Sequence, residues 1–342
     1  MTTSLTHVFR FSSRVIVLTL GLFLSYALAS TLVGLGGGGS GEGAPGEAAA
    51  MALSLLGVCL LGALVLVTLL QHTRWYGLKL MAAVFVLLFG VETLLSQLET
   101  LFFNLVLNMP SDTLVRVVLA GAVRALLIAP LAVLVTRNVR SPENQSDRHD
   151  KGNDLGSDRD RDHQVDSAEI GPALRAGDGI VPGLGLAAVY LLIYILFGYF
   201  VAWQSPAVRE FYTGTTDLQP FFTHLRNQFI AGNPWLGPFQ LLRGCLWVGL
   251  ALLTVRMIRG STGTKAALTG LVFGILIAAP CLIPNAFLPT PVRLIHFVEL
   301  ITSMLLFGVL AGWVLERRFS QLGQGRETRE ENLAGENVSV AA

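Results

Sequence analysis

Residues 55–70 read LLGVCLLGALVLVTLL, and residues 241–256 read LLRGCLWVGLALLTVR. The first stretch carries no charge, and with its flanks (residues 50–70) it reaches the length of about 20 apolar residues that a helix needs to cross bilayer hydrocarbon. Set in register, the two stretches place Cys59 opposite Cys245 and Thr68 opposite Thr254, at an offset of 186 residues. The offset persists into the next loop, where Gly77 and Lys79 face Gly263 and Lys265. Further on it becomes 177, and Thr113, Val115 and Arg116 face Thr290, Val292 and Arg293. Leu-rich helices resemble one another by chance, but matches of Cys, Thr, Gly, Lys and Arg in register favour a true internal repeat.

Composition sets the surroundings of this repeat. The 342 residues are 52% hydrophobic and 14% charged, with a mean hydropathy of +0.60. A soluble domain carries nearer about 25% charged residues, so the chain reads as a bilayer protein. A net charge of +1, with no sustained basic surface, argues against nucleic acid as a partner. Cys59, Cys245 and Cys281 all lie in apolar segments, where a thiol behaves as a small hydrophobe, and their spacing fits no zinc site. Neither a metal nor a cofactor is expected.

Eight apolar segments are long enough to span: residues 15–35, 50–70, 78–103, 113–136, 184–203, 236–258, 266–283 and 292–315. The expected fold is an all-α integral membrane protein with eight transmembrane helices as two parallel four-helix repeats, residues 1–137 and 181–318. Because each repeat has an even number of spans, the two share one orientation and an axis along the membrane normal. Residues 138–180 and 319–342 are polar and charged, and are expected as a disordered cytoplasmic linker and tail. His149 and His163 in the linker read as part of a solvated charge run rather than as metal ligands.

Arg10, Arg14 and Ala27-Leu28-Ala29 give the first segment the look of a signal peptide, but its apolar run continues past the cleavage-like site. Residues 36–47, GGGGSGEGAPGE, form a flexible linker; no Lys-Ser or Lys-Thr follows, as a phosphate loop would require. Basic residues alternate between the sides: Arg10 and Arg14, Arg74 and Lys79, Arg137 and Arg140, Arg256 to Lys265, then Arg317 and Arg318 all fall on one side. That side is the cytoplasm by the positive-inside rule, with both termini there and the chain multi-pass in a plasma membrane. Few cysteines and short loops suit a bacterial cell membrane.

Against this apolar background the ionisable residues within the spans mark a site, because charge at that depth is costly. Glu92, Ser96 and Glu99 share a face of the third span, and Arg116 and Arg124 lie along the fourth, about 12 Å apart at 1.5 Å per residue. Arg243 enters the sixth span, and Arg293, His296 and Glu299 recur every three residues along the eighth. Depth counting pairs Glu92 with Arg124 and Glu299 with Arg243, and places all eight residues in an extracytoplasmic-facing polar pocket. Arginine matches carboxylate and phosphate by its bidentate geometry, so the expected ligand is a small polar or anionic solute or a lipid headgroup, bound or transported.

Two other readings compete with transport. His296 and Glu299 make a His-x-x-Glu turn, which an intramembrane enzyme on a lipid-linked or peptide substrate would use as two metal ligands or as acid and base, although the His-Glu-x-x-His zinc arrangement is absent. A non-catalytic assembly subunit would instead use the ion pairs to hold helices together. Two more features bear on the pocket. Pro280 and Pro284 interrupt the seventh span, freeing backbone carbonyls. Residues 204–234, rich in Phe and Tyr, form either an interfacial helix or a cover over the pocket.

Overall fold

The computed structural model describes residues 2–35, 47–107, 109–138 and 176–340. The central part of the expected linker, residues 139–175, lies outside them. Among the described residues eight helices are long and apolar enough to cross a membrane, which fits a multi-pass membrane protein. They are α1 (Thr6–Leu32), α2 (Ala48–Gln71), α3 (Gly77–Phe102), α4 (Ser111–Thr136), α5 (Gly183–Ala202), α6 (Leu236–Met257), α7 (Thr262–Leu282) and α8 (Thr290–Gln321). The helix that contains α8 runs on as Thr290–Val340, so the polar residues after Phe319 carry helical backbone.

Helices α1 to α4 pack mainly among themselves, as do α5 to α8. The two sets meet where α2 lies against α7 and α3 lies against α6. At one end of this seam the turns after α2 and α6 pair as an antiparallel bridge between Thr73 and Ile258. There Arg74 N–H donates to Met257 O at 2.9 Å and Arg259 N–H donates to His72 O at 2.7 Å. The Thr73 hydroxyl adds a third bond to Met257 O at 3.1 Å. These bonds satisfy the backbone groups that two helix ends would otherwise leave open.

The tightest helix pair is α7 with α8, and small residues make it possible. Ala266, Gly270 and Gly274 recur every fourth position on α7, facing Gly308 and Gly312 on α8. A Cβ added at Gly308 would lie 2.8 Å from Gly270 Cα and 2.8 Å from Thr269 O. Backbone thus meets backbone at this crossing, the arrangement that stripes of small residues permit between helices in lipid.

Three spans depart from regular α-helix. α3 makes a π turn at Phe89–Leu94 that contains Glu92, and α5 ends in another at Gly198–Ala202. α7 ends in a 3-10 turn at Ala279–Leu282, where the ring of Pro280 cannot continue α-helical bonding. The carbonyl of Cys281 released by this break accepts from Arg293 Nη1 at 2.9 Å, and Nη2 of the same guanidinium donates to Thr290 Oγ1 at 3.1 Å.

The segment between α5 and α6 folds back on the bundle. It contains short helices at Pro206–Thr213 and Phe221–Arg226 and a π turn at Asn227–Gly232. Buried Arg209 ties it together, donating to Trp203 O at 2.6 Å and Thr216 O at 2.7 Å. His224 lies against the rings of Tyr199 and Trp203, and burial pushes its imidazole down, toward the neutral form.

Candidate functional site

The eight ionisable residues singled out from the sequence fall into four separate places. Glu92 and Arg124 pair as depth counting expects. The guanidinium also lies 4.1 Å from the centroid of the Tyr26 ring, so α1, α3 and α4 are joined by one charged contact. Both side chains are buried, and every partner belongs to the first four helices. The geometry is that of a lock within this set.

Arg116 sits at the end of α4, close to its helix start, and is half-exposed. It pairs with Asp112 at 3.6 Å and donates to Gly34 O at 3.2 Å. Arg293 is buried, but its Nη1 donates to Cys281 O at the broken end of α7 and its Nη2 to Thr290 on its own helix, with Nε left unpartnered. Neither joins the other charged residues, so the expected surplus of four arginines over three glutamates does not gather at one point.

Arg243 and Glu99 come together across the seam, 2.9 Å apart. Depth alone pairs Arg243 with Glu299; the structure gives it Glu99 across the α3–α6 contact, while the Glu299 carboxylate is taken by His296. Arg243 Nη2 also donates to Leu95 O at 3.1 Å, and Nη1 to Gln240 Oε1 at 2.9 Å. The Tyr190 hydroxyl donates to the same Gln240 oxygen at 3.3 Å. Two donors in this cluster stay unpartnered although buried, Arg243 Nε and Gln240 Nε2. A buried N–H without an acceptor costs about 1–3 kcal/mol, so such groups call for an acceptor from outside the chain, whether water or ligand. Arg243 is 3% exposed, whereas the Glu99 side chain keeps 30% of its surface open, which gives the cluster one accessible side.

Glu299 takes the fourth place. Its Oε2 lies 2.8 Å from His296 Nδ1, and His296 Nε2 lies 3.2 Å from the Tyr212 hydroxyl, which belongs to the Pro206–Thr213 helix. The segment between α5 and α6 therefore lies against this part of the bundle. Burial, with Glu99 and Glu299 nearby, pushes the Tyr212 phenol well above its ordinary value, so the hydroxyl keeps its proton. In a neutral imidazole that donates from Nδ1 to the carboxylate, Nε2 accepts from Tyr212; a protonated imidazole would reverse the second bond.

The site is thus built from α3, α5, α6, α8 and the Pro206–Thr213 helix. Gln240 escapes sequence reading, since it is uncharged, and its one signal is a position a single helical turn before Arg243; Tyr212 is met there as one of the aromatics of residues 204–234, without a partner on the eighth span. Among the described residues no three His, Cys, Asp or Glu side chains group as a metal ion would require. Comparisons of the chain with protein-family models, with curated proteins and with solved structures find no match.

Proposed function

We propose that this chain is a membrane transport or binding protein for a small polar or anionic solute, taken at the Arg243–Glu99 cluster between two parallel four-helix halves. The observation that carries the reading is the pair of buried, unpartnered donors, Arg243 Nε and Gln240 Nε2, beside a charge pair that closes across the seam. A carboxylate or phosphate oxygen is the kind of acceptor these donors lack, and Arg243 offers the planar geometry suited to either.

The repeat has support beyond the sequence offset. Exchanging the halves turns the α2–α7 contact into the α6–α3 contact, and both are packed. An antiparallel bridge has its own local two-fold, and the Thr73–Ile258 bridge joins the matching ends of α2 and α6. A site in the α3–α6 contact, where the two halves meet, is placed to respond when one half moves against the other. In this reading the termini are cytoplasmic, the membrane is a plasma membrane, and the Arg243–Glu99 cluster opens to the outside. His296 and Glu299, held by Tyr212, then provide a proton-accepting group next to the solute.

A second reading, an intramembrane enzyme, draws on the Tyr212–His296–Glu299 hydrogen-bond chain, which orients an imidazole as acid–base chemistry requires. Thermal unfolding of the detergent-purified protein with a panel of small carboxylates and phosphates separates the proposals. Binding at about 100 times Kd adds roughly 2.7 kcal/mol to the folded state. The transport or binding reading predicts a saturable rise in Tm for at least one anion, lost in Arg243→Lys and kept in His296→Gln. An absence of any rise across the panel, or a rise indifferent to Arg243→Lys, counts against it.

A further inference from the structure

We infer that an anionic phospholipid occupies the seam at the end opposite the Arg243–Glu99 cluster, with an acyl chain between α2 and α7 and its phosphate on Arg74 and Arg259. The inference is independent of the solute reading.

Between α2 and α7 lies a cavity of about 170 Å³ lined by Leu64, Val65, Thr68, Leu268, Leu271, Val272 and Ile275. Its one polar side chain is already satisfied, because the Thr68 hydroxyl donates to Leu64 O at 2.7 Å. Water has no partner in such a place, whereas apolar cavities of about 150 Å³ accept small hydrocarbons. Leu64, Thr68, Leu271 and Ile275 are only partly buried, so the cavity lies at the protein's side rather than in its core.

The cavity ends about one helical turn below a basic cluster. Thr68 precedes the end of α2 by three residues, about 4.5 Å along the helix. His72 bonds back to Thr68 O through Nδ1 at 2.8 Å. Just beyond, at the Thr73–Ile258 bridge, two guanidinium groups are held on backbone carbonyls: Arg74 Nε donates to Arg256 O at 2.7 Å, and Arg259 Nη2 approaches Gln71 O at 3.4 Å. Arg74 and Arg259 are exposed, and among the described residues neither has a carboxylate partner. Nearby Lys265 is neutralised by Glu316 at 2.7 Å and Lys79 lies over the Trp75 ring at 4.4 Å, which leaves the two arginines as the guanidinium groups open to an anion at this turn. An apolar slot one turn from unpaired guanidinium groups, at the end of membrane-spanning helices, matches the two parts of a phospholipid.

The internal repeat sharpens the case. At the 186-residue offset Leu271 and Ile275 correspond to Phe85 and Phe89 on α3, whose rings stack at 5.8 Å. The counterpart face thus carries larger side chains where α7 leaves room.

Native mass spectrometry of the detergent-purified full chain, titrated with dioleoyl phosphatidylglycerol or dioleoyl phosphatidylcholine, tests the assignment. The wild type should retain phosphatidylglycerol over phosphatidylcholine by about fivefold for each arginine engaged. Leu271→Phe, which copies the counterpart residue, should abolish that retention. Arg74→Gln with Arg259→Gln should bring phosphatidylglycerol down to the phosphatidylcholine level. Because both arginines are exposed, this second variant keeps the test intact if Leu271→Phe fails to fold. Equal retention of the two lipids by the wild type, or wild-type retention in the folded variants, would overturn the assignment.

Discussion

Glu92→Ala is expected to cost the folded protein about 3–5 kcal/mol, because it leaves the Arg124 guanidinium charged and buried without its carboxylate. The Tyr26 face remains beneath the charge at 4.1 Å, but a ring offers far less than an ion pair in a desolvated site. Removing both charges is different. Glu92→Leu with Arg124→Met substitutes apolar groups of similar length, and such exchanges of buried pairs are often neutral or stabilising. Reversible unfolding in mixed micelles should show a large loss for the single variant and recovery in the double. A single-variant loss below about 1 kcal/mol would mean that the pair does not hold α3 to α4. Since all partners lie in the first four helices, the anion-dependent shift should survive in the double variant.

The second large effect is expected at the α7–α8 crossing. Gly308→Leu places a branched side chain where even a Cβ would meet Gly270 Cα and Thr269 O at 2.8 Å. Backbone atoms cannot rotate away as a side chain can, so the helices must separate along their length. Overpacking of this kind costs about 1–3 kcal/mol in ordinary cores, and the backbone obstruction here sets the expectation at the upper end or beyond. Gly57→Ala is the matched control: a Cβ there meets nothing within 4 Å, and alanine favours helix. Unfolding of the two variants beside the wild type should show a loss for Gly308→Leu and none for Gly57→Ala. Equal behaviour of the two would contradict the close crossing.

The eight spans were legible in the sequence because their signal is local: each is a run of apolar residues of the right length. Glu92 with Arg124 was legible for a related reason, since adjacent spans joined by a short loop place similar depths side by side. Arg243 shows where such counting stops. Its partner depends on which helix of the other half it faces, and depth alone cannot choose between Glu99 and Glu299. Arg293 was assigned to the pocket because charge in a span suggests a site. Its actual duty follows from the end of α7, where the Cys281 carbonyl has no helical partner and sits within the arginine's reach. The Ala266, Gly270, Gly274 stripe, with Gly308 and Gly312, was visible at four-residue spacing but reads as ordinary composition until the two helices are placed together.

A double-mutant cycle across the seam tests the site most directly. Glu99→Gln, Arg243→Gln and their combination would be compared by equilibrium unfolding, beside the same cycle for Glu299→Gln with Arg243→Gln. Contacting charges couple by about 0.5–3 kcal/mol, whereas independent sites add within about 0.5 kcal/mol. The predicted result is clear coupling between Glu99 and Arg243, larger than any between Glu299 and Arg243. Additivity for Glu99 with Arg243, or stronger coupling to Glu299, would contradict a site closed across the two halves by this pair.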